Sequence, residues 1–149
     1  MEALAAAVGQ SSRREGIVAV GRELHCDGSS MGVDTAAVVA CGALPPDYAA
    51  RLVAVFARAI GRPLLDQWPS APADHPACDG EALARIGAPV VGDREGRWEG
   101  RITVELSCRP STSSPTHPLR VITKEFLFQW DGRAWTFYQV GTRRIAGTI

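Results

Sequence analysis

Lysine is almost missing from this sequence: Lys124 is the only one, and every other basic residue is arginine. With alanine and glycine abundant, this is the bias a GC-rich bacterial genome would impose, and it carries no physical information about function. Runs of one charge sign are missing too. The 16 basic and 16 acidic residues cancel without any run of five, so nucleic acid and anionic membranes are not expected partners. No stretch approaches the roughly 18 apolar residues that a membrane helix needs. The N-terminal MEALAAAVGQSSRRE has no leading positive region and only a short apolar part, unlike a signal peptide. The expectation is therefore a cytoplasmic protein.

No C-x-x-C pair occurs, so a zinc site would have to combine His25-Cys26 with His75-x-x-Cys78 and Cys108. Neither a metal nor a cofactor is expected. Four cysteines could form two disulfides in any of three connectivities, but in a cytoplasmic chain they should be free, mostly buried thiols. What remains is enough for one globular domain spanning 1–149, since 46% of the 149 residues are hydrophobic.

Residues 1–9 read as a short helix and GIVAVGREL as a strand, followed by the glycine-rich CDGSSMG and a second apolar segment, VDTAAVVACG. Together these suggest a hairpin. Pro45-Pro46-Asp47 then announces the main helix, about 47–61, in which Tyr48, Leu52, Val55, Phe56, Ala59 and Ile60 recur at helical spacing. Only Arg51, Arg58 and Arg62 form a polar stripe, and Gly61 with Pro63 end it. Residues 64–89 are proline-rich and weakly periodic, which predicts a long rim or flap with a possible turn of helix at GEALARI.

Beyond residue 96 the alternation is strong. Trp98, Ile102, Val104, Leu106 and Cys108 occupy one face of a strand, while Arg101, Thr103, Glu105 and Ser107 occupy the other. Two long strands follow, LRVITKEFLFQW and RAWTFYQVGTRRI, joined by Asp131-Gly132. A two-residue turn there would set Glu125 against Tyr138, Phe128 against Trp135 and Phe126 against Phe137. Phe126, Phe128, Trp130, Trp135 and Phe137 then share the face covered by the helix. The opposite face carries Arg101, Thr103, Glu105, Thr123, Glu125, Thr136 and Tyr138, mixed with Val121, Leu127 and Val140.

The expected fold class is thus α+β: an antiparallel curved sheet of four to six strands packed on one main helix, as a cone or half-barrel. A carboxylate and a phenol on a partly apolar sheet face suit proton transfer to a small molecule. Glu125 and Tyr138 are the expected catalytic pair, with Arg101, Glu105, Thr123 and Thr136 binding substrate. Gly28-Ser29-Ser30-Met31-Gly32 matches G-x-S-x-G, and Asp74, Asp79 or Asp93 with His117 would complete a serine hydrolase in chain order. Its flanks read as a hairpin bend instead of the strand-to-helix elbow that such a nucleophile requires.

The passages EGRITVELSCRP and LRVITKEFLFQWDGRAWTFYQV resemble the closing strands of the NTF2-like superfamily, of the SnoaL and limonene epoxide hydrolase type. That resemblance implies a cone-shaped sheet with a pocket, often in a homodimer, and cyclisation, isomerisation or epoxide hydrolysis as activities. The family begins with helices, whereas this chain places a hairpin before its main helix, and no Asp-His or Asp-Arg-Asp set is present to carry over. The expected function is a cofactor-independent small-molecule enzyme, a cyclase or isomerase of specialised metabolism. The alternatives are an interaction module using the exposed sheet face and, last, the Ser30 hydrolase.

Overall fold

A computed structural model describes residues 1–26, 41–110 and 119–146. Its elements are α1 (Glu2–Ser11), β1 (Ile17–Gly21), α2 (Pro46–Ile60), β2 (Leu64–Leu65), β3 (Ala82–Ile86), β4 (Val90–Arg94), β5 (Arg97–Cys108), β6 (Arg120–Trp130) and β7 (Trp135–Ala146). Seven strands make one sheet in the order β2-β1-β3-β5-β6-β7, with β4 also paired to β5. The architecture is α+β.

The helix α2 forms where its apolar spacing predicts. Proline occupies its first turn, and Gly61 closes it in the left-handed conformation at φ 79°, where a glycine carries no Cβ penalty. Leu52, Val53, Phe56, Ala57 and Ile60 are buried. Most of its circumference is covered because α1 lies against one side and the sheet against another. Gly9, inside α1, allows this crossing, since a Cβ there would sit 2.6 Å from the Ala59 Cβ and 2.8 Å from the Phe56 carbonyl oxygen. A mid-helix glycine costs about 0.5–1 kcal/mol relative to alanine, and here the close approach explains it. A single core joins both helices to Ile102, Val104, Leu106, Phe126 and Phe128 on one face of the sheet.

The expectation of a wholly antiparallel sheet of four to six strands is corrected at one edge. Strand β1 runs parallel to both β2 and β3, because α2 carries the chain from one end of β1 back to start β2 beside it, as a parallel pair requires. GEALARI is a strand, not a turn of helix: Ala82, Ala84 and Ile86 are buried towards the helices. Five residues are too few to fix a period, and pairing to β1 and β5 decides the outcome. The second strand of the expected N-terminal hairpin falls mostly in 27–40, outside the described residues, and 41–43 are helical.

The final hairpin forms, but out of the expected register by two residues near the turn and by three farther along. Trp130 pairs with Trp135 and Phe128 with Phe137, while beyond an irregularity Leu127 pairs with Gln139 and Glu125 with Gly141. The Asp131 carboxylate is the reason. It accepts hydrogen bonds from the backbone N–H of Arg133 at 2.7 Å and of Ala134 at 2.8 Å, lengthening the turn from two residues to four. Tyr138 becomes the extra residue of a bulge instead of the partner of Glu125.

The cysteines are not free thiols. Cys26 pairs with Cys41 and Cys78 with Cys108, so the cysteine donors of the alternative zinc arrangement are engaged in disulfides. Their separations of 15 and 30 residues hide the pairing from any spacing rule. No helix among the described residues is long and apolar enough to cross a membrane.

Candidate functional site

The residues expected to form the site divide between two places on the face of the sheet turned away from the helices. The first is a shallow groove of about 320 Å³ that includes Glu99, Arg101, Glu125, Leu127 and Tyr138. Arg101 lies 3.7 Å from the Glu125 carboxylate, one strand over. Tyr138 borders the same groove but is 39% exposed, and its phenol is shifted upward by desolvation first and by the Glu99 charge second. The groove therefore brings Arg101, Glu125 and Tyr138 together without setting the phenol opposite the carboxylate. Thr136 is exposed beside Gln129, far along the hairpin, and does not join them.

The second place is formed by residues the sequence reading treated separately. Glu105 pairs across the strands with Arg85 on one side and Thr123 on the other. Its Oε2 accepts from Arg85 Nε at 2.9 Å and also from Arg85 Nη2. His25 Nε2 lies 3.3 Å from the same oxygen. The side chains of Glu105, His25 and Arg85 are only 13%, 17% and 24% exposed, so these charges interact in a much less polar setting than a surface pair.

Each member is held by the fold. The His25 backbone N–H donates to the Ile86 carbonyl at 2.8 Å, which docks the chain after β1 alongside the end of β3. The Arg85 guanidinium stacks on the Trp68 ring, 4.3 Å from its centroid, a cation–π contact. Trp68 is brought in by the proline-rich connection, and Gly21 makes room: a Cβ there would come within 3.0 Å of both the Trp68 ring and the Arg85 side chain. The result is a cleft of about 400 Å³ whose lining includes Arg22, His25, Asp66, Gln67, Trp68 and Arg85. That volume suits a small organic ligand. Arg22 and Asp66 form an ion pair of 2.9 Å at its mouth.

Behind the cleft, His75 is 3% exposed and Ser107 2%, with His75 Nδ1 3.3 Å from Ser107 Oγ. Burial lowers the His75 pKa, opposed by the hydrogen bond that the ring donates to the Pro69 backbone carbonyl, and the net shift favours the neutral ring. The pair has the atoms of a nucleophile and base but no approach for a substrate. It joins the loop to β5, helped by Arg109 Nε donating to the His75 carbonyl at 2.9 Å and by the Cys78–Cys108 bridge. His75 is thus a buried packing element. Ser30 and His117 lie outside the described residues.

Sequence reasoning placed Glu105 correctly on the polar face but missed Arg85, His25 and Trp68. The signal for Arg85 was present in the alternation Ala82, Ala84, Ile86 against Leu83 and Arg85. Nothing in the order of residues placed His25 or Trp68 beside it. No protein-family model matches the chain, and neither the curated proteins nor the solved structures contain a match to it.

Proposed function

We propose that the chain binds a small polar molecule in the cleft beside Trp68 and Arg85, with His25 as the group that exchanges protons with it and Glu105 holding His25 and Arg85 in place. One observation carries this reading: an imidazole and a guanidinium, His25 and Arg85, line a cleft of ligand size and are both held by one largely buried carboxylate, that of Glu105, which lies 3.3 Å from the imidazole. A carboxylate fixed in this way is an acceptor of defined direction, and histidine changes charge near neutral pH. Cofactor-independent isomerisation or cyclisation is the reaction class such a pair can serve. Kinship with the NTF2-like superfamily, including its cone-shaped sheet, belongs to the same proposal and is supported by the long antiparallel run β5-β6-β7.

The compartment follows from the sulfur chemistry. Two disulfides persist in oxidising surroundings and are rare in the cytosol, so an extracytoplasmic site of action is proposed in place of the cytoplasm.

The test is a ligand screen by NMR against the native protein, Glu105→Gln and Glu125→Gln. Ligands whose shifts vanish in Glu105→Gln and survive in Glu125→Gln support the cleft. The reverse pattern moves the site to the groove beside Tyr138, and a panel of polar metabolites that leaves all three proteins unperturbed overturns small-molecule binding.

A further inference from the structure

Arg85 has donors that its own ion pair does not use. A guanidinium carries five N–H groups in one plane. Two of them, on Nε and Nη2, go to the single oxygen Oε2 of Glu105, and one face of the plane is covered by Trp68, whose ring centroid lies 4.3 Å from the guanidinium carbon. Three N–H groups remain, two on Nη1 and one on Nη2, so the edge between these nitrogens keeps a parallel pair of donors. Among the described residues no buried side-chain nitrogen lacks a hydrogen-bond partner, yet the Arg85 side chain donates only to Glu105. The remaining edge is therefore the open part of a side chain that is 24% exposed, and Arg85 lines the cleft.

The charges around the cleft differ between its wall and its mouth. Arg85 and His25 line the wall, whereas Glu105, which holds both through one oxygen, does not. A ligand thus meets two nitrogen-bearing side chains set side by side, with the balancing carboxylate behind them. At the mouth, Arg22 and Asp66 neutralise each other in an exposed ion pair that water screens, and Glu23 adds one negative charge in the open. Leu24, Leu65 and the Trp68 ring supply the apolar part of the lining. A parallel pair of N–H donors matches the two oxygens of a carboxylate, in hydrogen bonds roughly twice as strong as neutral ones. A neutral amide satisfies only one of the two donors, since its own NH2 group would face the other. A second negative charge on the ligand would meet Glu23 and Asp66.

We propose that the cleft takes a small organic monocarboxylate, its two oxygens seated on the Nη1–Nη2 edge of Arg85 and its apolar body against Leu24, Leu65 and Trp68. The inference rests on the cleft being the ligand site and adds what the ligand is. A volume of about 400 Å³ accommodates a molecule of the size of benzoate. Seating the carboxylate on Arg85 places the rest of the molecule beside His25, so Arg85 determines specificity and His25 exchanges the proton. Lysine would not replace Arg85, because an ammonium is a point charge without the planar pair of donors or the flat face that stacks on Trp68.

The experiment is an NMR titration of the full chain with its disulfides intact, read at the Trp68 indole Nε1–H, which Trp68→Phe assigns. The probes are benzoate and isobutyrate, their amides benzamide and isobutyramide, succinate, and inorganic phosphate. Both monocarboxylates should shift the Trp68 signal and bind at least about tenfold tighter than their amides. Arg85→Lys should remove that preference, and Glu125→Gln should keep it. The comparison of acid with amide on the native chain decides the matter even if Arg85→Lys fails to fold. Amides that bind at Trp68 as tightly as the acids leave the cleft as the ligand site and overturn the carboxylate. Succinate or phosphate binding as tightly as benzoate overturns the monocarboxylate in the same way. Carboxylates whose shifts cluster around Tyr138 overturn both this inference and the cleft reading. If none of the six probes moves Trp68, the carboxylate inference falls, and the wider panel of polar metabolites decides the cleft reading on its own.

Discussion

The two edges of the sheet are built from the same alternation of side chains and end in opposite states. At the β1–β2 edge, charged residues point into a face that the proline-rich connection has covered, so Glu105, Arg85 and His25 are drawn together and partly dried. At the β7 edge, aromatic residues point towards the helix layer beyond the place where that layer ends. Alternation decides which side a residue faces, but only a second layer decides whether that side is buried. The polar face thereby gains a semi-enclosed site, and the apolar face keeps an exposed remnant.

The sharpest break in this comparison is expected within one aromatic cluster. Phe128 is 1% exposed and touches Phe137, ring centroids 5.6 Å apart. Phe128→Ala should cost about 3–5 kcal/mol in urea unfolding through loss of transfer energy and an unfilled cavity. Phe137→Ala should cost only about 1 kcal/mol, since much of its ring is already in water. Equal costs would mean that the β7 edge is covered in the monomer after all.

Next in size is the tie that holds the connection over the polar face. Replacing Cys78 and Cys108 together by serine opens a link between residues 30 apart, expected to lower stability by about 3–4 kcal/mol on chain-entropy grounds. Hydrogen exchange should rise around Trp68 and His75 while the β6–β7 hairpin stays protected. Uniform loss of protection would show that the two edges unfold as one unit.

Glu105→Gln should destabilise by about 1–3 kcal/mol, because Arg85 would be left partly buried opposite a neutral amide. Glu125→Gln, whose ion pair with Arg101 is longer and more open, should cost less. A smaller effect belongs to His75. Its folded-state pKa lies below the unfolded value of 6.5, mainly through burial, so the folded chain resists the proton that the unfolded chain accepts. The stability contributed by neutral His75 is complete above pH 6.5 and declines as pH falls below it. His75→Gln should flatten that part of the stability–pH curve, and an unchanged slope would assign the acid sensitivity elsewhere. At the bottom of the scale, Asp66→Ala breaks an ion pair whose partners are 54% and 97% exposed, and thermal unfolding should not register it.

Much of this was legible in the chain. The limits of α2 follow from its apolar spacing, Pro46 and Gly61. The alternation in β5 and β6 correctly assigned Ile102, Val104, Leu106, Phe126 and Phe128 to the core and Glu105 and Glu125 to the other face. The hairpin register was not legible, because Asp131 used its carboxylate to cap two backbone N–H groups and lengthened the turn, which separated Tyr138 from Glu125. The strand β3 was too short for its period to outweigh a helical reading, so Arg85 was never placed beside Glu105.

By itself, then, the sequence determined the local periods: where the main helix runs, where the long strands run and which side chains share a face, since these depend on neighbours a few residues apart. The tertiary structure decided what lies across from each face. The parallel return of the chain through α2, the loop that seats Trp68 on Arg85, the approach of His25 to Glu105, 80 residues away in sequence, and the pairing of Cys78 with Cys108 all join distant segments. Contacts of that kind are set by packing and chain closure, which leave no periodic trace in the order of residues.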